Sequence, residues 1–180
     1  MNNIKNLINR TKVIIAFFIF SSLVLYAQNS TKLTDPEIAS VAVTANQIDV
    51  DYGQIALKKS DNTDIKKFAQ SMINDHNSII QQAVDLAGKL GVTPKDNAIT
   101  QQLLKEAKQT KSKLNDSKGK SFDKAYIDNE VAYHEAVIST VINVLIPQTQ
   151  NEQLKNLLIK VAPLLDTHLE MAKKVQKSIE

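Results

Sequence analysis

The chain has 180 residues, neither cysteine nor tryptophan, four glycines and four prolines, and a formal net charge of +3 at pH 7. This length suits one compact domain, and the lack of cysteine excludes disulfides and cysteine-ligated zinc or redox sites. With 43% hydrophobic residues the chain is not disordered, and glycine and proline are too few for the turns of a β-rich fold, so the composition favours an all-α chain.

Residues 1–27 have the pattern of a secretory signal peptide. Three basic residues precede an apolar stretch over 13–25, and Ala27 stands before polar Gln28. An apolar stretch of this length falls short of the ~20 residues needed to cross a bilayer. We therefore expect cleavage after Ala27, a mature chain without a transmembrane segment, and a location in the periplasm or cell envelope.

The charge of the mature chain narrows the classes of partner. The segment 1–27 contains three basic and no acidic residues, which leaves 19 basic and 19 acidic residues in the rest of the chain. A balanced chain lacks the positive field that attracts nucleic acid or an anionic membrane surface. Nucleic acid is therefore excluded as an expected partner, whereas a second copy of the chain or an envelope protein stays open.

The remaining chain is predicted to be a short linker over 28–34 and a helical domain over 35–180. Apolar residues recur at helical spacing in five stretches, at about 36–59, 63–90, 97–114, 122–146 and 151–178.

Capping residues and prolines mark where these helices begin and end. Asp35 is the expected cap of the first helix, and Gly91 is expected to end the second. The segment 117–121 reads as a loop, with Ser121 capping the fourth helix, and Pro147 is expected to stop that helix.

The lengths of the connections predict how the helices pack. Short links after the first and fourth helices require antiparallel hairpins, and about 30 residues between the second and fourth helices can run the length of a bundle. These features predict a ferritin-like four-helix bundle, with two antiparallel hairpins joined by a helical crossover. A sequential up-down-up-down bundle with an extra helix is the alternative.

Four segments of the chain are similar to a known family. They are Asp49–Ala56, Met72-Ile73-Asn74-Asp75-His76, Phe122-Asp123 with Tyr126 and His134, and Ala162-Pro163 with His168. On these segments the chain resembles the bacterial secreted proteins of the domain-of-unknown-function family 4142, often labelled outer membrane proteins. The resemblance implies export and a ferritin-like fold, and it brings no settled activity. Asp49 and Asp51 depart from the family pattern, which more often has Glu there.

Three histidines are the residues most suited to chemistry, one on each of the second, fourth and fifth predicted helices. His76, His134 and His168 each fall on the apolar stripe of their helix. A helical rise of ~1.5 Å per residue places Asp49 and Glu130 at a similar depth in the bundle. The sequence therefore predicts that these five side chains share one or two layers of the interior.

The residue types of this layer indicate one kind of metal site and argue against another. A ferritin-type di-iron centre needs Glu-x-x-His on two helices, but Ile73, Val131 and Leu165 stand three residues before the histidines. A single ion held by two or three imidazoles and one carboxylate suits zinc, iron or copper. Met72 and Met171, one turn from two of the histidines, add a thioether that copper favours, although methionine more often fills a core.

Two functions stay open on this evidence. The first is an exported, non-catalytic binding or stress-protective protein that holds a metal ion in the histidine and carboxylate layer. The second is a structural or interaction protein of the cell envelope whose histidines are core residues without a metal. Phosphate-binding loops and nucleophile motifs are absent from the sequence, so enzymatic activity is the less favoured interpretation.

The signal-peptide interpretation predicts a specific mature N-terminus. The intact mass of protein recovered from an envelope fraction should correspond to a chain that begins at or near Gln28, because a peptidase removes the preceding segment. A full-length chain embedded in the membrane would contradict it.

Overall fold

The computed structural model describes residues 32–179, which form helices and no strand. The helices are α1 (Asp35–Lys59), α2 (Thr63–Leu90), α3 (Ala98–Asp116), α4 (Gly119–Thr140), α5 (Ile146–Gln148) and α6 (Glu152–Ser178), and a π-helical turn (Val141–Leu145) joins α4 to α5. The predicted all-α fold is confirmed for this part of the chain.

The predicted signal peptide over 1–27 and most of the predicted linker over 28–34 lie outside the described residues. Leu33, at the end of that linker, is buried, and its backbone N–H donates to the side chain of Gln148. Within residues 32–179, no helix combines the length and the apolar character that a membrane crossing requires.

Hydrogen bonds at the two ends of the bundle establish its topology. α1 packs against α2, and α4 packs against α6. At one end, the Asp35 carboxylate accepts the backbone N–H groups of Gln150 and Asn151, just before α6. At the other end, the Ser60 hydroxyl, just after α1, donates to the Asp123 carboxylate in the first turns of α4.

These contacts decide between the two predicted topologies. Because α2 and α4 both begin at the end of the bundle where α1 finishes, they run parallel to each other. α3 therefore crosses the length of the bundle between the two hairpins, as in the predicted ferritin-like arrangement. α3 packs mainly on α1, whereas α1, α2, α4 and α6 contact one another, so the four-helix core consists of the two hairpins and not of four sequential helices.

Two predicted helix starts differ from the structure. Thr34, not Asp35, caps α1, through a reciprocal capping box with Glu37. α4 begins at Gly119 rather than near Phe122, so Ser121 is no cap and the predicted loop over 117–121 is mostly helix. Gly119 has a positive φ of 52°, and this left-handed residue turns the chain directly from α3 into α4.

The fourth helix also ends differently from the prediction. Pro147 does not stop it near Ile146, because the chain passes through the π-helical turn into α5, which continues to Gln148. Pro147 falls in the first turn of α5, where the missing N–H costs little. Gly91 ends α2 in the left-handed conformation, with φ of 63°, as predicted.

α1 and α2 approach each other closely at Gly53. A Cβ atom added to Gly53 would lie 2.9 Å from Cγ1 of Ile73 and 3.1 Å from the carbonyl oxygen of Ala69, both on α2. These distances are shorter than van der Waals contact. Glycine at this position therefore permits the spacing between the two helices.

Two glycine substitutions should separate helix packing from helix propensity. Gly53→Ala should lower the free energy of unfolding by about 1–3 kcal/mol, because the added methyl group pushes the helices apart. Gly88→Ala, on the exposed face of α2 with no atom within 4 Å of the added carbon, should raise it by about 0.5–1 kcal/mol. Denaturant unfolding measures both, and a Gly53→Ala variant as stable as the parent would contradict the close approach.

Candidate metal centre

The structure brings the five predicted side chains together in the bundle interior. α1 supplies Asp49, α2 supplies His76, α4 supplies Glu130 and His134, and α6 supplies His168. None is more than 3% exposed. The ring centroids of the three imidazoles lie 5.0, 5.5 and 5.8 Å apart in pairs. The predicted shared layer is confirmed.

Two of the imidazoles are oriented by hydrogen bonds to side chains on the outer side of the cluster. Nδ1 of His76 lies 2.7 Å from Oδ1 of Asn46, whose amide nitrogen donates to the carbonyl of Ala42. That second bond leaves the Asn46 oxygen facing His76, so His76 Nδ1 carries the proton. Nε2 of His168 lies 3.0 Å from Oδ2 of Asp75, and an ionised carboxylate can only accept.

The third imidazole is oriented by the backbone of its own helix. Nδ1 of His134 lies 2.9 Å from the carbonyl oxygen of Glu130, one turn earlier on α4. The Glu130 carboxylate is 3.7 Å from the same nitrogen, too far for a hydrogen bond. The hydrogen bond of His134 Nδ1 therefore goes to the backbone carbonyl of Glu130, and the carboxylate lies beside the ring at ion-pair distance.

The inner nitrogen of each imidazole has no hydrogen-bond partner. These atoms are Nε2 of His76, Nε2 of His134 and Nδ1 of His168, and all three are buried. Since each outer nitrogen is the donor, each inner nitrogen carries a lone pair. One nitrogen from each ring can be chosen so that the three lie within 4.8 Å of one another. Three lone pairs directed into one small space are the arrangement that a metal ion requires.

Asp49 lies beside two of these nitrogens at distances that suit shared coordination. Its Oδ2 atom is 3.5 Å from Nε2 of His76 and 3.6 Å from Nε2 of His134. Both distances are too long for hydrogen bonds. Two ligands of a tetrahedral ion with metal–ligand bonds of 2.0–2.1 Å are separated by about 3.3 Å. Each of the two distances is therefore close to the separation of two ligands on one ion.

A small cavity adjoins these atoms. Its volume is about 10 Å³, close to the volume that one water molecule or one ion requires. Asp49, His76 and His134 line it, together with the apolar side chains of Ala45 and Val137. The space therefore fits a single ion.

The buried carboxyl groups have strongly altered acidity. Burial raises the pKa of Asp49 to about 8. Burial, and then the charge of Asp49, raise the pKa of Glu130 well above its ordinary value. None of the four carboxyl oxygens accepts a hydrogen bond. Both groups therefore hold protons near neutral pH unless a cation replaces those protons.

The imidazoles are neutral at the same pH. Burial, and then the neighbouring imidazoles, hold the pKa of His76 well below its ordinary value. Burial likewise lowers the pKa of His134 to about 4, and it lowers that of His168 against the opposing effect of Asp75. A neutral imidazole is the form that binds a metal ion.

Sequence reasoning missed the two side chains that orient the imidazoles. Asp75 is adjacent to His76 in the sequence, at a half-exposed position, but it bonds His168. Only a pattern of paired Asp and His residues could have indicated this role of Asp75. Asn46 lies one turn before Asp49 on α1, and a polar residue on that stripe was the available signal. Met72 is fully buried, whereas Met171 lines a surface groove with Asp166, Thr167, Glu170 and Lys174.

Comparison with known proteins assigns the chain to a family. The model of a domain of unknown function (DUF4142) matches residues 23–175. The chain belongs to this family. The predicted resemblance is thus confirmed, and the match includes every residue of the histidine and carboxylate cluster. No curated protein and no solved structure matches the chain.

The raised pKa of the carboxyl groups predicts how the stability of the metal-free DUF4142 domain depends on pH. Unfolded Asp and Glu are ionised above pH 5, so the folded state holds more protons, and stability falls as pH rises toward the folded pKa of Asp49. Below about pH 6.5 the histidines oppose this trend, because they are protonated in the unfolded chain. With chelator present, the free energy of unfolding should drop by about 1–2 kcal/mol between pH 6.5 and 8.

Substitutions test this origin of the pH dependence. In the double variant Asp49→Asn/Glu130→Gln, the free energy of unfolding should fall little between pH 6.5 and 8. In the exposed control Asp85→Asn, it should fall as it does in the parent. Urea unfolding at each pH gives the free energies. A parent whose stability is flat or rises over this interval would contradict the raised pKa of Asp49.

Proposed function

We propose that the protein is an exported, non-catalytic metal-binding protein that holds one divalent transition-metal ion in its helical bundle. The ligands would be Nε2 of His76, Nε2 of His134, Nδ1 of His168 and a carboxylate oxygen of Asp49. The convergence of buried, unpartnered nitrogen and oxygen atoms carries the proposal. Export rests on the signal-peptide pattern of residues 1–27.

The unpartnered atoms favour a bound ion over a purely structural core. Each buried polar atom without a hydrogen bond costs about 1–3 kcal/mol. A histidine core selected for packing alone would direct both nitrogens of each ring to partners. Here the outer nitrogens have partners, whereas the inner nitrogens and both carboxylate oxygens of Asp49 are buried without any. An ion satisfies all of these atoms at once.

Charge balance favours a divalent ion. The three imidazoles are neutral ligands, and the ionised carboxylates of Asp49 and Glu130 together carry two negative charges. A divalent ion makes the buried site neutral, with Glu130 as the second counter-charge. Imidazole and carboxylate ligands suit zinc, iron and copper, and the site takes its ion from that group.

Metal titration should give one ion per chain. Protein purified without a histidine tag and stripped with chelator should bind one equivalent of zinc or copper in calorimetry. At a free-ion concentration 100-fold above the dissociation constant, binding should stabilise the fold by about 2.7 kcal/mol and raise the melting temperature accordingly. His168→Ala and Asp49→Asn should abolish most of this rise, because each removes a ligand.

The exposed residue next to His134 offers a matched control. Glu135→Gln should bind the ion as the parent does. Identical melting curves of the parent with zinc, with copper and with chelator would support the alternative, a structural envelope protein with a histidine core. Two equivalents bound per chain would contradict the single-ion site.

A further inference from the structure

We propose that Asp75 is a positioning residue of the metal centre. Its carboxylate holds the imidazole of His168 in the orientation that directs Nδ1 at the ion. The inference rests on the proposed function, since its consequence is tighter binding of the ion. Asp75 touches none of the ligand atoms of the ion, and it acts through the imidazole of His168.

The geometry gives Asp75 this role. Its Oδ2 atom is 3.0 Å from Nε2 of His168, and Nδ1 on the opposite side of the same ring is buried without a partner. A rotation of the ring by 180° would move Nδ1 away from the cluster and break the hydrogen bond. The bond therefore favours the one ring orientation that presents a lone pair to His76 and His134.

Asp75 differs from the other two outer partners. His76 is held by the neutral amide of Asn46 and His134 by a backbone carbonyl, whereas His168 is held by a carboxylate. A carboxylate that accepts from the distal N–H makes the imidazole a stronger metal donor. His168 is therefore the ligand whose strength depends most on its outer partner.

The position of Asp75 on α2 explains how one helix serves two histidines. Successive residues of a helix point about 100° apart. His76 accordingly faces Asp49 on α1, while Asp75 reaches His168 on α6. The Asp75 side chain is 43% exposed, so the carboxylate bridges the buried site and solvent. Its substitution should disturb the core of the bundle less than substitution of a buried ligand.

Zinc affinity of stripped protein tests the proposal. Asp75→Ala should raise the dissociation constant 10- to 100-fold, the usual effect of losing such an outer partner. Asp75→Asn keeps an acceptor oxygen but loses the negative charge. Its dissociation constant should therefore lie between those of Asp75→Ala and the parent. Asp85→Ala removes an exposed carboxylate elsewhere on α2 and should bind zinc as the parent does.

A second measurement reports on the imidazole itself. In ¹⁵N NMR spectra of the metal-free parent, His168 should show a protonated Nε2, protected from exchange, and a bare Nδ1. Asp75→Ala should lose that protection while the melting temperature of the metal-free protein changes little.

The outcomes separate this proposal from the proposed function. A parent that binds no zinc, cobalt or copper would overturn the metal site and this role with it. A parent that binds zinc, with Asp75→Ala equally tight, would overturn the role of Asp75 alone. Weak zinc binding by Asp75→Ala with an unchanged Nε2 signal would also overturn it, because the loss would then not pass through His168.

Discussion

Two carboxyl groups are buried among three imidazoles in the interior of the bundle, and their protonation or neutralisation governs the chemistry of this site. A lone ionised carboxylate in a bundle interior costs several kcal/mol unless a positive charge or hydrogen bonds offset the loss of water. Asp49 and Glu130 are fully buried and accept no hydrogen bond. Each must hold a proton or face a cation, and three neutral imidazole lone pairs beside them favour the cation.

The packing of α1 against α2 brings the first two ligands within reach of each other. Gly53 lies one turn after Asp49, and Ile73 lies one turn before His76. Because Gly53 has no side chain, the helices approach to a spacing at which a Cβ atom there would lie 2.9 Å from Cγ1 of Ile73 and 3.1 Å from the carbonyl oxygen of Ala69. This spacing leaves Asp49 3.5 Å from His76. A larger residue at position 53 would therefore alter both the stability of the hairpin and the geometry of the site.

The crossover brings the second hairpin into register with the first. Because α3 runs the length of the bundle, α4 starts at the same end as α2. His76 is the fourteenth residue of α2, and His134 is the sixteenth residue of α4. The two histidines therefore lie at similar depths in the bundle. α6 runs in the opposite direction and places His168 near its middle. A short link between α2 and α4 in place of α3 would have reversed α4 relative to α2 and changed these depths.

The sequence predicted the layer but not the bonds within it. Helical phase and rise are properties of single helices, so they placed His76, His134 and His168 at a common depth. Hydrogen bonds between helices depend on where their axes cross, which periodicity does not contain. Asn46 and Asp75 were missed for this reason.

Local geometry also limited what the sequence could predict. The four-residue spacing of Glu130 and His134 does not reveal that the imidazole donates to the backbone carbonyl of Glu130 rather than to its carboxylate. The start of α4 was misplaced because Gly119 reads as a loop residue, although two extended residues, Ser117 and Lys118, with the left-handed Gly119 are enough to join the two helices.

Anomalous X-ray diffraction from crystals of the cobalt- or zinc-loaded protein tests the central claim most directly. We expect one anomalous peak per chain, about 2.0–2.2 Å from Nε2 of His76, Nε2 of His134, Nδ1 of His168 and an oxygen of Asp49. Data above and below the absorption edge of the metal would identify the ion. A peak elsewhere would contradict this prediction. So would an interior without any peak at saturating metal, with the three histidines in unchanged positions.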